Sequence, residues 1–88
     1  MAWKIEISPK ADKDLEKLSP DARSAILNYL FQQVLTCDHP SQLGKPLKHE
    51  FSGLWRYRVG KYRIICRLER EELVVFVVKV AKRDKVYD

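Results

Sequence analysis

The sequence predicts an α+β fold in the order βααβββ, with a helical hairpin packed on one face of a mostly antiparallel four-stranded sheet. Three observations predict it. Trp3-Lys4-Ile5-Glu6-Ile7 alternates apolar with charged residues, the period of a strand with one buried face. Ser8-Pro9 and Ser19-Pro20 mark two helix starts. Three apolar-rich runs, Leu54–Val59, Tyr62–Glu69 and Glu72–Ala81, follow Gly53.

Each helix start places a serine hydroxyl at the N-cap and a proline at the first helical position, where a missing N–H costs nothing. In the first helix Ala11, Leu15 and Leu18 line one face, leaving Lys10, Asp12, Lys13, Asp14, Glu16 and Lys17 for solvent. In the second, Ala22, Ile26, Tyr29, Leu30, Phe31, Val34 and Leu35 form a broader stripe, which reads as core. From Cys37 to Ser52 the periodicity breaks: Pro40, Gly44 and Pro46 punctuate a polar loop, which Leu43, Leu47 and Phe51 tack to the body.

In the following hairpin, Gly60-Lys61 makes a two-residue turn, with Gly60 supplying the positive φ that a type II′ turn requires at its first position. This turn fixes the register. Val59 falls opposite Tyr62, Arg58 opposite Arg63, Arg56 opposite Ile65 and Leu54 opposite Arg67. Arg56, Arg58, Arg63 and Arg67 then share one face, while Trp55, Tyr57, Val59, Tyr62, Ile64, Cys66 and Leu68 face the helices. The last run is apolar on both sides, as suits a strand inside a sheet. With Leu68 opposite Leu73, strict alternation puts Phe76 and Val78 on the arginine face and Lys79 on the helix side, which calls for snorkelling or a bulge.

With 88 residues, 17 Lys plus Arg against 12 Asp plus Glu and a net charge of +5, the chain reads as one domain spanning residues 1–88 with a polyanionic partner. Polar residues from Lys4 to Lys17 interrupt any signal peptide or membrane span, so a soluble, cytoplasmic protein without a membrane partner is expected. Cys37 and Cys66 have no CxxC spacing, and His39 and His49 do not complete a ligand set. Neither a metal, another cofactor nor a disulfide framework is therefore expected, and Cys66 reads as a buried, inert thiol.

Exposed sheet faces carry charge routinely, and arginines there could pair with Glu69, Glu71 or Glu72. No acidic residue occurs between Gly53 and Arg67, however, and like charges directly opposed across a sheet are mildly destabilising. The Arg58/Arg63 pair therefore points to an anion lying across it.

The element order, the segment Gly-Leu-Trp-Arg-Tyr-Arg-Val-Gly-Lys-Tyr-Arg-Ile-Ile from Gly53, the run Val-Val-Phe-Val-Val-Lys-Val-Ala-Lys-Arg from Val74 and the ending Lys-Arg-Asp-Lys-Val-Tyr resemble the RelE toxins of bacterial type II toxin–antitoxin systems, within the wider RelE/ParE superfamily. The resemblance implies an endoribonuclease that enters the ribosomal A site on the small subunit. There it cuts mRNA, without a metal, by attack of a ribose 2′-hydroxyl on the adjacent phosphate. It also implies a cognate RelB-like antitoxin that wraps the toxin, with operator DNA contacted only through the antitoxin complex.

Carried over by position, the resemblance makes Arg56, Arg58, Arg63, Arg83 and Tyr87 the catalytic set, with Lys61, Arg67, Lys82 and Lys85 in RNA binding. Arg63 and Arg83 would stabilise the charge that builds on the phosphorane oxygens. The best-known relatives have lysines where this chain has Arg56 and Arg58, and arginine does not give up its proton. A general base would then be Tyr87, or Lys61 or His49 from nearby loops, or no discrete group. Tyr87 could instead stack on a base. Two other readings remain open at this point: a ParE-like toxin that poisons DNA gyrase and cuts nothing, and a non-catalytic RNA-binding module.

Overall fold

The computed structural model describes residues 3–82. β1 (Lys4–Ile7) leads into α1 (Pro9–Glu16) and α2 (Pro20–Tyr29), which runs on as one π-helical turn at Leu30–Val34. A connection with short 3₁₀ turns at Pro40–Gln42 and His49–Phe51 carries β2 (Lys45–Pro46) between them. β3 (Leu54–Val59), β4 (Tyr62–Glu69) and β5 (Val74–Lys82) complete the sheet, whose order is β1-β5-β4-β3-β2. Among the described residues, the β1/β5 pairing is parallel and the other three are antiparallel. The α+β class holds, with five strands rather than four. β2 has two residues, one of them a proline without an N–H, and so reads as loop in the sequence.

Both serine caps form as their sequence dictates: Ser8 Oγ accepts from the Ala11 N–H at 3.0 Å and Ser19 Oγ from the Ala22 N–H at 3.2 Å. Arg23 closes the helical hairpin by donating from Nε to the Leu15 carbonyl at 3.1 Å and from Nη2 to the Leu18 carbonyl at 3.2 Å, serving carbonyls at the end of α1. Ala11, Leu15, Ile26, Leu30 and Val34 pack against Tyr57, Ile64, Cys66, Val75, Val77 and Val80 of the sheet. Among the described residues, no helix is long and apolar enough to cross a membrane.

The β3/β4 register is the one the Gly60-Lys61 turn imposes, with Arg58 opposite Arg63 and Arg56 opposite Ile65. Gly60 has φ 57°. β5 departs from strict alternation. It starts at Val74, and Leu68 lies opposite Val75, not Leu73. Between Ile65 and Cys66 the register slips: Cys66 faces Val77 but Ile65 faces Lys79, so Val78 is an extra residue. The bulge turns Lys79 from the helix side to the arginine face.

α1 holds that bulge. β1 ends opposite Val77, leaving the neighbouring edge of β5 without a strand partner. Ser8 Oγ donates to the Val78 carbonyl at 3.0 Å, and the Val80 N–H donates to Asp14 Oδ2 at 3.0 Å. Asp14, which helical periodicity assigns to solvent, is therefore 9% exposed because it acts as a surrogate strand acceptor. Lys10 Nζ holds its other oxygen at 2.6 Å. Burial acts to raise the pKa of Asp14, but the Lys10 and Val80 hydrogen bonds and the charges of Lys10 and Lys17 outweigh it and hold the carboxyl below its ordinary value of 3.8.

The connection before β3 is fastened through Tyr57, whose hydroxyl donates to the Pro40 carbonyl at 2.8 Å. Burial pushes the Tyr57 pKa upward, so this hydroxyl remains a donor. Gly44 lies against the same ring: a Cβ there would stand 3.0 Å from Tyr57 Cε1 and 3.1 Å from the Arg56 carbonyl oxygen.

Two consequences are measurable. A carboxyl with a lowered folded-state pKa contributes stability that is fully present well above pH 3.8 and is lost as pH falls through the lowered value. Asp14→Asn should therefore cost about 1–3 kcal/mol near neutral pH and flatten the decline in stability in acid, as read from urea unfolding at about pH 7 and about pH 3. Gly44→Ala, which presses on backbone as well as on the Tyr57 ring, should cost about 1–3 kcal/mol in the same assay.

Candidate nucleic-acid interface

The sheet face away from the helices gathers cations from four strands. In β2 and β3, Lys45 lies opposite Arg56; in β3 and β4, Arg58 lies opposite Arg63; in β5, the bulge brings Lys79 opposite Ile65. Two like-charged cross-strand pairs thus stand side by side, an arrangement that raises the local positive potential at some cost to the sheet. Arg58 is exposed and Arg56 half-buried, whereas Arg63 is only 4% exposed. Ala81, opposite Arg63 on β5, is small enough to leave room for its guanidinium. Ile65 is fully buried in the register between Arg56 and Lys79, a position at which long aliphatic stems cover an apolar side chain.

Around the β2 edge this face opens into two adjoining hollows. One is lined by Leu43, Lys45, Arg56 and Arg58. The larger, of about 470 Å³, is lined by the run from Lys45 to Phe51 together with Arg56. Lys45 and Arg56 belong to both. His49 starts the 3₁₀ turn with φ 60°, a left-handed conformation uncommon for a side chain larger than glycine. Its carbonyl accepts from Ser52 Oγ at 2.7 Å and from the Ser52 N–H at 3.1 Å, which fixes the turn.

The structure thus brings Arg56, Arg58 and Arg63 together and adds Lys45 and Lys79. Sequence reasoning missed both lysines as site residues. Lys45 sits in a strand too short to register as one, and the only signal for Lys79 was its poor fit to alternation. Arg67 shares the face but lies at its opposite end, ion-paired with Glu69 and stacked over Phe76 at 5.2 Å, beside Glu6 and Glu72. Lys61 is exposed in the hairpin turn. Lys82 lies opposite Tyr62 at the exposed end of β5 and so alternates to the other face. Arg83, Lys85 and Tyr87 lie outside the described residues. Cys66 is fully buried, and burial pushes its thiol pKa up, which keeps it protonated and inert.

Chemically, paired guanidiniums offer forked N–H donors to phosphate oxygens and hold their charge at any physiological pH. The face is suited to a phosphodiester. Arginine itself offers no proton-accepting group.

Comparison with known proteins agrees with this architecture. Residues 5–87 match the family model for the ParE toxin of the type II toxin–antitoxin system parDE. Toxin RelG of Mycobacterium tuberculosis is 30% identical over 87 residues, covering 99% of this chain and 98% of the relative. Toxin RelE of the same organism is 28% identical, covering 97% and 86%. A chain of the toxin–antitoxin complex RelBE2 from M. tuberculosis superposes with a TM-score of 0.87 at 29% identity, over 94% of this chain and all of that one. The isolated E. coli RelE toxin shares the fold, with a TM-score of 0.74 at 20% identity over 97% of this chain and 88% of the other. The cationic sheet face is therefore carried by a chain that belongs to the RelE/ParE superfamily of type II toxin–antitoxin toxins.

Proposed function

We propose that this toxin is a metal-independent endoribonuclease that cuts mRNA in the ribosomal A site and so halts translation. The observation that carries the reading is the convergence of Arg56, Arg58, Arg63, Lys45 and Lys79 on one sheet face, with Arg58 directly opposite a nearly buried Arg63. Two guanidiniums set directly opposite one another across a sheet repel, and a phosphate that bridges them turns this into attraction. Attack of a 2′-hydroxyl passes through a pentavalent phosphorus whose non-bridging oxygens carry extra negative charge, and preorganised cations act on that charge. Arg63 and Arg58 would take this part. Arg83 would join them and Tyr87 would stack on or orient the RNA, as the family resemblance implies; Lys61, Arg67, Lys82 and Lys85 would track phosphates.

The toxin would act as a single domain in the cytoplasm, with the small ribosomal subunit supplying the mRNA. A RelB-like antitoxin would neutralise it, and operator DNA would be met only in that complex. Support for the partner is the related M. tuberculosis toxin, solved as part of a toxin–antitoxin complex. A gyrase-directed reading draws on the ParE description of the matching family model, but it leaves the opposed arginines without a role.

In a defined translation reaction, primer extension should reveal cuts only in ribosome-bound message and within the A-site codon. Intact message together with gyrase-dependent DNA damage would establish the other target. Arg63→Ala, confirmed as folded by its circular dichroism spectrum, should lower the cleavage rate by roughly 100-fold or more, the range seen when one transition-state donor is removed. Arg58→Ala should weaken ribosome-dependent cleavage less, since an exposed guanidinium interacts through solvent.

A further inference from the structure

We infer that His49 is the general base of the cleavage reaction, taking the proton from the attacking 2′-hydroxyl; the inference rests on the endoribonuclease reading above. Metal-free attack needs a proton acceptor, and the guanidiniums of Arg56 and Arg58 cannot serve. Among the described residues, His49 carries an imidazole and lines the same hollow as Arg56 at the edge of the cationic face. Lys61, in the hairpin turn, does not line it.

Lys45 and Lys48, the other cations of the hollow, present ammonium groups with no lone pair to receive a proton. Glu50 is the acid beside them, but a carboxylate is a weaker proton acceptor than imidazole at neutral pH. The charged residues that line the hollow with His49 are thus Lys45 from β2, Arg56 from β3, and Lys48 and Glu50 beside it in the chain.

The backbone adds an independent observation. His49 holds φ 60° although a glycine would do so at no cost, and both Ser52 contacts to its carbonyl keep it there. Strain retained at a residue that opens onto a charged hollow is a mark of a positioned functional group. In the reaction, the O2′–H bond breaks as its proton passes to the imidazole, the O2′–P bond forms, and the P–O5′ bond breaks. The departing 5′-oxygen takes a proton from water, and the imidazolium returns its own to solvent.

The same conformation supplies a clean test, because His49→Gly suits the local backbone and should leave thermal stability unchanged or raised. On programmed ribosomes at saturating toxin, His49→Gly should cleave roughly 100-fold more slowly than the parent. Free imidazole should restore a large part of the loss. Cleavage by His49→Gly at the parental rate would overturn the inference, as would a loss confined to ribosome affinity and insensitive to imidazole. Failure of the parent protein itself to cut would remove the endoribonuclease reading and this inference with it.

Discussion

The structure depends on two hydrogen bonds that α1 makes to the bulged edge of β5: Ser8 Oγ to the Val78 carbonyl, and the Val80 N–H to Asp14. A strand edge that loses its neighbour exposes backbone groups that must be satisfied, and a bulge adds an unpaired residue to that requirement. Here a helix cap and a helical carboxylate meet it, each doing a second job. Ser8 starts the helix and ties it to the sheet; Asp14 fixes the place where β5 changes register. The bulge in turn decides which face receives Lys79 and Val80, so both the core and the cationic surface depend on it.

The two faces of the sheet obey opposite rules. Toward the helices, Tyr57, Ile64, Cys66, Val75 and Val77 are fully buried in an apolar core, with the Tyr57 hydroxyl reaching out of it to Pro40. Away from them, cations are placed opposite cations, which contributes nothing to folding. The acids of the sheet margin, Glu6, Glu69 and Glu72, gather around Arg67 at the far end, away from the cross-strand cation pairs of Arg56 and Arg63. Charge is thus polarised along a single surface, one end acidic and one basic, which gives an approaching polyanion a preferred direction.

Much of this was legible in the sequence because the local signals agree with the global fold. Ser-Pro pairs set both helix starts, and one glycine turn set the register of β3 against β4 and hence the meeting of Arg58 with Arg63. What was illegible is nonlocal. Nothing near Val78 in the chain announces a bulge whose cause lies at Ser8 and Asp14, about seventy residues away. Asp14 looked like an ordinary solvent-facing carboxylate, since helical periodicity does not record which helix edge meets a strand. The pair Lys45-Pro46 offered no strand pattern and acquires one only from the partnership with Arg56 and Trp55. Arg83 and Tyr87 rested on the family resemblance alone, and nothing in the pattern of their neighbours would have singled them out.

The topology also governs when this surface can exist during synthesis. β5 lies between β1 and β4, so the last of the five strands to be made is an interior one, and its parallel partner is the first. Pairings that join the two ends of a chain are slow to close and have no local intermediate to lean on. Until Val74–Lys82 has left the ribosome, β1 has no sheet to join, α1 has no edge to cap, and Lys79 has no place beside the arginines. The complete cationic face is therefore a late product of folding, formed only once Val74–Lys82 can pair with both β1 and β4.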